Sequence, residues 1–170
     1  MQTLVEVQKK HVISMLVANK PGVLIRIALV FARRGYNIDS LVVSESKDPG
    51  FSVMNIAASG DAKVLDQIIK QLHKLVDVVG ARDRTDEDIL QRELALIKLH
   101  CSGAERLEVL HLAHAMSCEA LDIGDESVIL QVQGDTNALD NVTRVLEPYG
   151  VIEVVRTGKV LMARGAEITA

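Results

Sequence analysis

The period of the apolar positions changes repeatedly along the chain, and each change marks an element. His11 to Ala18 is a short apolar run rich in β-branched residues, which predicts a strand buried on both faces. From Gly22 the spacing lengthens. Leu24, Ile27, Ala28 and Phe31 follow the i, i+3, i+4, i+7 rule of one helix face, and Gly35 stops it. Ile38 to Ser46 reads as a second strand, Asp48-Pro49-Gly50 as a turn, and Phe51 to Ala58 as a third strand. Leu65, Ile68, Ile69 and Leu72 restore the helical spacing, and Val76 to Ala81 supplies a fourth strand.

This order, β-α-β-β-α-β, predicts a ferredoxin-like fold, because right-handed crossovers place both helices on one face of an antiparallel sheet. Residues 85–92, with Thr85-Asp86-Glu87-Asp88, read as a polar linker, and the pattern then restarts. Leu94 to Cys101 is a strand, and Leu107, Leu110, Ala113 and Met116 mark a helix. Glu119 to Ile123 and Ser127 to Val132 form a strand pair about Gly124-Asp125. Leu139, Val142 and Leu146 mark the last helix, and Val151 to Val155 the last strand. The expected organisation is α+β: two tandem ferredoxin-like βαββαβ domains, 1–84 and 93–170. Gly60-Asp61, Leu65-Asp66, Leu72 and Arg82 recur as Gly134-Asp135, Leu139-Asp140, Leu146 and Arg156, every pair 74 positions apart, which supports duplication of the unit.

Composition narrows the functional classes. A net charge of −4 over 170 residues argues against nucleic acid, whose phosphates require a basic face. With no Trp, two Phe and two Tyr, base-stacking platforms are scarce. Two cysteines, Cys101 and Cys118, make no disulfide framework and suit a reducing cytoplasm. Met1 to Lys10 lacks the apolar core of a signal peptide, and no apolar stretch has the length of a membrane span. Walker, G-x-G-x-x-G, G-x-S-x-G and H-E-x-x-H motifs are missing, as is any C-x-x-C. The most enzyme-like set is His111, His114 and Cys118, whose i, i+3, i+7 spacing suits a soft metal on one helical stripe. The competing reading is two solvent or interface histidines and a packed thiol.

One junction carries a different chemistry. Asn19-Lys20-Pro21-Gly22-Val23-Leu24 closes the first strand and opens the first helix. Proline near the first helical position loses no hydrogen bond, and Gly22 permits close approach to the backbone. The N–H groups of Gly22, Val23 and Leu24, with the positive end of the helix dipole, predict a small anion site suited to a carboxylate. The plain alternative is a strand-to-helix turn. The second half carries Cys101-Ser102-Gly103-Ala104-Glu105 at its own junction, so the halves are alike in fold and different in duty.

The string Asn19-Lys20-Pro21-Gly22-Val23-Leu24, with Phe31-Ala32-Arg33-Arg34-Gly35-Tyr36-Asn37-Ile38-Asp39-Ser40-Leu41, resembles the ACT domain of the acetohydroxyacid synthase (acetolactate synthase) regulatory small subunit. The resemblance continues through Lys70 to Val78, Arg92 to Lys98, Glu153 to Gly158 and Ala163-Arg164-Gly165, nearly the whole chain. It implies a non-catalytic subunit with no cofactor of its own. That subunit would activate a partner carrying thiamine diphosphate, Mg2+ and FAD, and would confer feedback inhibition by valine. By match to the motif it implies effector contacts at Asn19, Gly22 and Asn37, with Val23, Leu24 and Ile38 beside them. It further implies a homodimer through the ACT domains, with the second domain touching the catalytic subunit. A free-standing tandem ACT sensor of another amino acid, or a small metalloenzyme using His111, His114 and Cys118, stand as the alternatives.

Overall fold

A computed structural model describes residues 10–170; the start of the chain, 1–9, including most of the segment read above for a signal peptide, lies outside them. The first sheet comprises β1 (Lys10–Ala18), β2 (Asn37–Glu45), β3 (Phe51–Ser59) and β4 (Val78–Asp83), in the order β2-β3-β1-β4. All its pairings are antiparallel. Helices α1 (Val23–Ala32) and α2 (Ala62–Leu72) supply the crossovers. The second sheet, from β5 (Leu90–His100), β6 (Glu119–Ile123), β7 (Ser127–Gly134) and β8 (Val151–Arg156), runs β6-β7-β5-β8. Its helices are α3 (Gly103–Ala115) and α4 (Thr136–Leu146). The tandem ferredoxin-like α+β architecture is as expected.

Each unit closes on its own core. In the first, Ile13, Met15 and Val17 of β1 and Met54, Ile56 and Ala58 of β3 meet Val23, Ile27 and Phe31 of α1 and Leu65, Ile68 and Leu72 of α2. In the second, Ala95, Ile97 and Leu99 with Val128, Leu130 and Val132 meet Val109 and Ala113 of α3 and Leu139, Val142 and Leu146 of α4. Alternation on the strands and the 3.6-residue period on the helices bring these sets to one face. The duplicated Gly-Asp pair has a common use: the carboxylates of Asp61 and Asp135 accept N–H bonds at the starts of α2 and α4. Gly60 is also required by space, since a Cβ there would lie 2.4 Å from the ring of Tyr36.

The division of the chain differs from the expected 1–84 and 93–170. One unit runs to Leu90 and takes back Lys159–Ala170, while the other is Gln91–Gly158. The returning segment, which holds β9 (Val160–Met162), is fastened by Arg84, only 2% exposed. Arg84 donates to the carbonyls of Ile168 (3.1 Å) and Thr169 (2.9 Å), to Glu167 (3.0 Å), and to Glu87. Burial works against its charge, but the bonds to Glu87 and Glu167 outweigh that and hold the guanidinium protonated. Leu161 packs with Val12 and Ile89, and Arg164 pairs with Asp88 at 3.2 Å. The expected linker is therefore partly structural: Arg84, Glu87, Asp88 and Ile89 anchor a strap, and β5 already begins at Leu90.

Candidate functional site

The junction after β1 folds as a type II turn. Pro21 occupies its second position and Gly22 its third, at φ 82° and ψ −7°, a conformation that favours glycine, and the Val23 N–H donates to the Lys20 carbonyl at 3.4 Å. Proline therefore stands two residues ahead of the first helical residue, Val23, rather than inside the helix. The Val23 N–H is committed to the turn, and its side chain is buried in the core. Among the described residues, the N–H groups of Gly22, Leu24 and Ile25 have no acceptor. Ile25 thus takes the place expected of Val23. The first turn of α1 carries no acidic residue that would occupy the positive end of the dipole. Arg26 stands beside it, paired with Asp77 at 2.6 Å.

Asn19 is exposed at the same corner. Its backbone N–H donates to the Gly50 carbonyl at 2.9 Å and its side-chain Nδ2 to the Pro49 carbonyl at 3.1 Å. The β2–β3 hairpin turn thus fixes the amide with its nitrogen inward, which leaves Oδ1 as the outward atom. Leu24, 43% exposed, supplies apolar surface next to it.

Asn37 opens β2 at the far end of the same edge strand. It pairs with Ser59, whereas Glu45, at the other end of β2, pairs with Ser52 beside the hairpin turn. Nine strand residues at about 3.3 Å each separate the two ends by roughly 27 Å. An amino acid is far too short to touch both in one chain. Asn37 Nδ2 donates to Asp39 Oδ1 at 2.7 Å, so here too the carboxamide oxygen remains for a ligand. Ile38 leans into the core and offers little wall. Behind Asn37, the buried ring of Tyr36 lies 6.4 Å from that of His11, and its hydroxyl donates to the Asp61 carbonyl. Burial raises the phenol pKa, with a further push from Asp61, so it stays a neutral donor.

Asp39 and Ser59, which hold this end together, escaped the sequence reading. The available signal was the apolar spacing: Ile38 and Leu41 both pack inward although three apart, which requires an extra residue between them.

The corresponding junction of the second unit has the opposite character. There a groove of about 390 Å³ is lined by His100, Glu105, Glu108, Pro148, Tyr149 and Gly150, and the Tyr149 hydroxyl donates to Glu108 at 2.9 Å. Two carboxylates repel an anion. The metal stripe weighed as an alternative is not assembled: α3 ends at Ala115, Ser117 turns the chain at φ 58°, and Cys118 lies beyond the helix that carries His111 and His114. No group of three metal-ligating side chains occurs among the described residues. No helix among them is long and apolar enough to cross a membrane.

Comparison with known proteins covers both units. Residues 13–80 match the family model described as the AHAS small subunit-like ACT domain, and residues 92–165 match the small subunit of acetolactate synthase. A probable acetolactate synthase small subunit of Methanothermobacter thermautotrophicus is 41% identical over 157 residues, covering 92% of this chain and 94% of that protein. The acetolactate synthase small subunit of Mycobacterium leprae is 39% identical over 155 residues, 91% of this chain and 92% of that one. The crystal structure of acetolactate synthase small subunit from Thermotoga maritima superposes with a TM-score of 0.82 at 37% identity, over 94% of this chain and 99% of that chain.

Proposed function

The chain belongs to the acetolactate synthase small-subunit family, and on that footing we propose that it is the non-catalytic regulatory partner of a cytoplasmic synthase catalytic subunit. It activates that subunit and transmits feedback inhibition by valine. The synthase chemistry, with thiamine diphosphate, Mg2+ and FAD, resides in the partner. The second unit, whose junction is acidic, contacts the catalytic subunit.

The observation that carries the effector reading is a polarity match divided between two ends of one edge strand. At the α1 start, the N–H groups of Gly22, Leu24 and Ile25 suit a carboxylate. At Asn19 and Asn37, both amide nitrogens are held by acceptors and both oxygens are left to receive an ammonium. Leu24 supplies contact for a branched side chain.

Because the two ends cannot meet within a chain, the site is completed by a second copy. Strand β2 is an edge, α1 lies on its side of the sheet, and Leu24, Ile25, Leu29 and Val43 are exposed apolar residues there. A two-fold axis that pairs β2 with β2 antiparallel sets the Asn37 end of each chain against the α1 start of the other, forming two equivalent sites. Valine binding and dimer geometry then belong to one linked equilibrium.

Calorimetric titration of the chain with valine, together with inhibition of the reconstituted synthase, tests this reading. Saturable binding that is weakened about tenfold or more in Asn37→Ala and lost in Gly22→Asp is expected. Absence of binding, or full inhibition by valine in both variants, refutes the mechanism.

A further inference from the structure

The Asn37 end of the edge strand contains a device that the reading above does not require. Between Ile38 and Ser40 the β2–β3 register shifts: Ile38 pairs with Ala58 and Ser40 with Ala57, so Asp39 is the extra residue of a β-bulge. A bulge re-aims its side chain. Here it aims Asp39 back along its own strand, where Oδ1 accepts the Asn37 amide at 2.7 Å and Oδ2 accepts the Ser59 hydroxyl. Ser59 is also the cross-strand partner of Asn37. A carboxylate can only accept, so it selects one of the two orientations open to the Asn37 amide: nitrogen toward Asp39, oxygen away.

We propose that Asp39 is the positioning residue that gives the Asn37 end its preference for an amino group, by locking the carboxamide with its oxygen toward the ligand. The role rests on the reading of this edge as an amino-acid site. With Asp39 in place, an ammonium meets an acceptor whose direction is already set. Without it, the amide is free to turn over and present its own N–H groups, which repel a cation. Ser59 occupies the second carboxylate oxygen and keeps Asp39 from turning toward solvent. Asp39 acts through Asn37, so its removal reduces discrimination between a ligand with an ammonium group and one without.

The test uses the full chain in calorimetric titrations with valine and, by competition against valine, with 3-methylbutanoate, which is valine without its amino group. Asp39→Ala should weaken valine by about tenfold or more, as loss of a charge-assisted orientation does, and leave 3-methylbutanoate unchanged. Asp39→Asn offers the Asn37 amide either an oxygen or an NH2 group, so it no longer selects one orientation and should also weaken valine. In an Asn37→Ala background, Asp39→Ala should add nothing further. Thermal unfolding of each variant separates lost structure from lost selectivity.

Further weakening by Asp39→Ala in the Asn37→Ala background would assign the effect to the Asp39 charge acting on the ammonium directly and overturn the positioning role, as would unaltered valine affinity in Asp39→Ala or in Asp39→Asn. If the unsubstituted chain binds no valine, the amino-acid reading itself falls. If it binds valine and the variants match it, only the role of Asp39 falls.

Discussion

Gly22 joins conformation to chemistry, because its positive φ ends the turn and leaves the N–H groups of Leu24 and Ile25 facing out. A Cβ there would stand 3.3 Å from the Arg26 guanidinium, a contact that a flexible side chain can relieve, so the backbone conformation dominates. Gly22→Ala should destabilise the chain by about 1–2 kcal/mol, the usual strain of an L-residue at positive φ, measured by urea unfolding. Cys101 has a different signature. Burial, chiefly, lifts its thiol above the ordinary value of 9.0. A thiol whose folded pKa is raised contributes stability that is complete below the unfolded value and fades as pH rises toward the folded one. Unfolding free energy should therefore decline from about pH 9 upward, and Cys101→Ala should flatten that slope; an equal slope in the variant would remove Cys101 as the cause. The asparagine positions were legible because they sit in a motif, but the direction of each amide was not. It depends on Pro49 for Asn19 and on Asp39 for Asn37, one of them 30 positions away in sequence.

At the scale of elements, success of the sequence reading followed amphipathicity. Helix α4 has one apolar stripe, and Leu139, Val142 and Leu146 are buried as expected. Helix α1, VLIRIALVFA, is apolar almost all round, so periodicity had no polar face to fix its phase. Its core residues are Val23, Ile27 and Phe31, and Leu24 turns outward. In α3 the expected Leu107 is 63% exposed, and Val109 takes the buried place. The aspartate caps offer a check on the duplicated units. Asp61→Ala and Asp135→Ala should each lower stability by about 1 kcal/mol, since each removes an acceptor from a helix start. Substitution of Ser102 by Ala should have a smaller effect, because its side chain makes no capping bond to α3.

The whole molecule raises two questions of assembly. If the α1 and β2 side is the dimer interface, Leu29→Asp, at a residue 45% exposed, should shift sedimentation toward the monomer and weaken valine binding in parallel. A variant that stays dimeric with intact binding would move the interface elsewhere. The strap was invisible in the sequence, since a three-residue strand has no measurable period and the Arg84 contacts span more than 80 positions. Arg84→Ala leaves the Ile168 and Thr169 carbonyls without their donor. It should destabilise the first unit by about 2–4 kcal/mol and expose residues 159–170 to limited proteolysis.

The strap also sets an order of events during synthesis. The first unit contains nearly all of its core by Leu90, yet Leu161 and the carbonyls that satisfy Arg84 are translated only after the whole of Gln91–Gly158. Until then a guanidinium destined for burial lacks its backbone acceptors, and Val12 and Ile89 lack the cover of Leu161. The first unit therefore starts folding first and finishes last, so a ribosome that stalls within the second unit holds a first unit that is not yet closed.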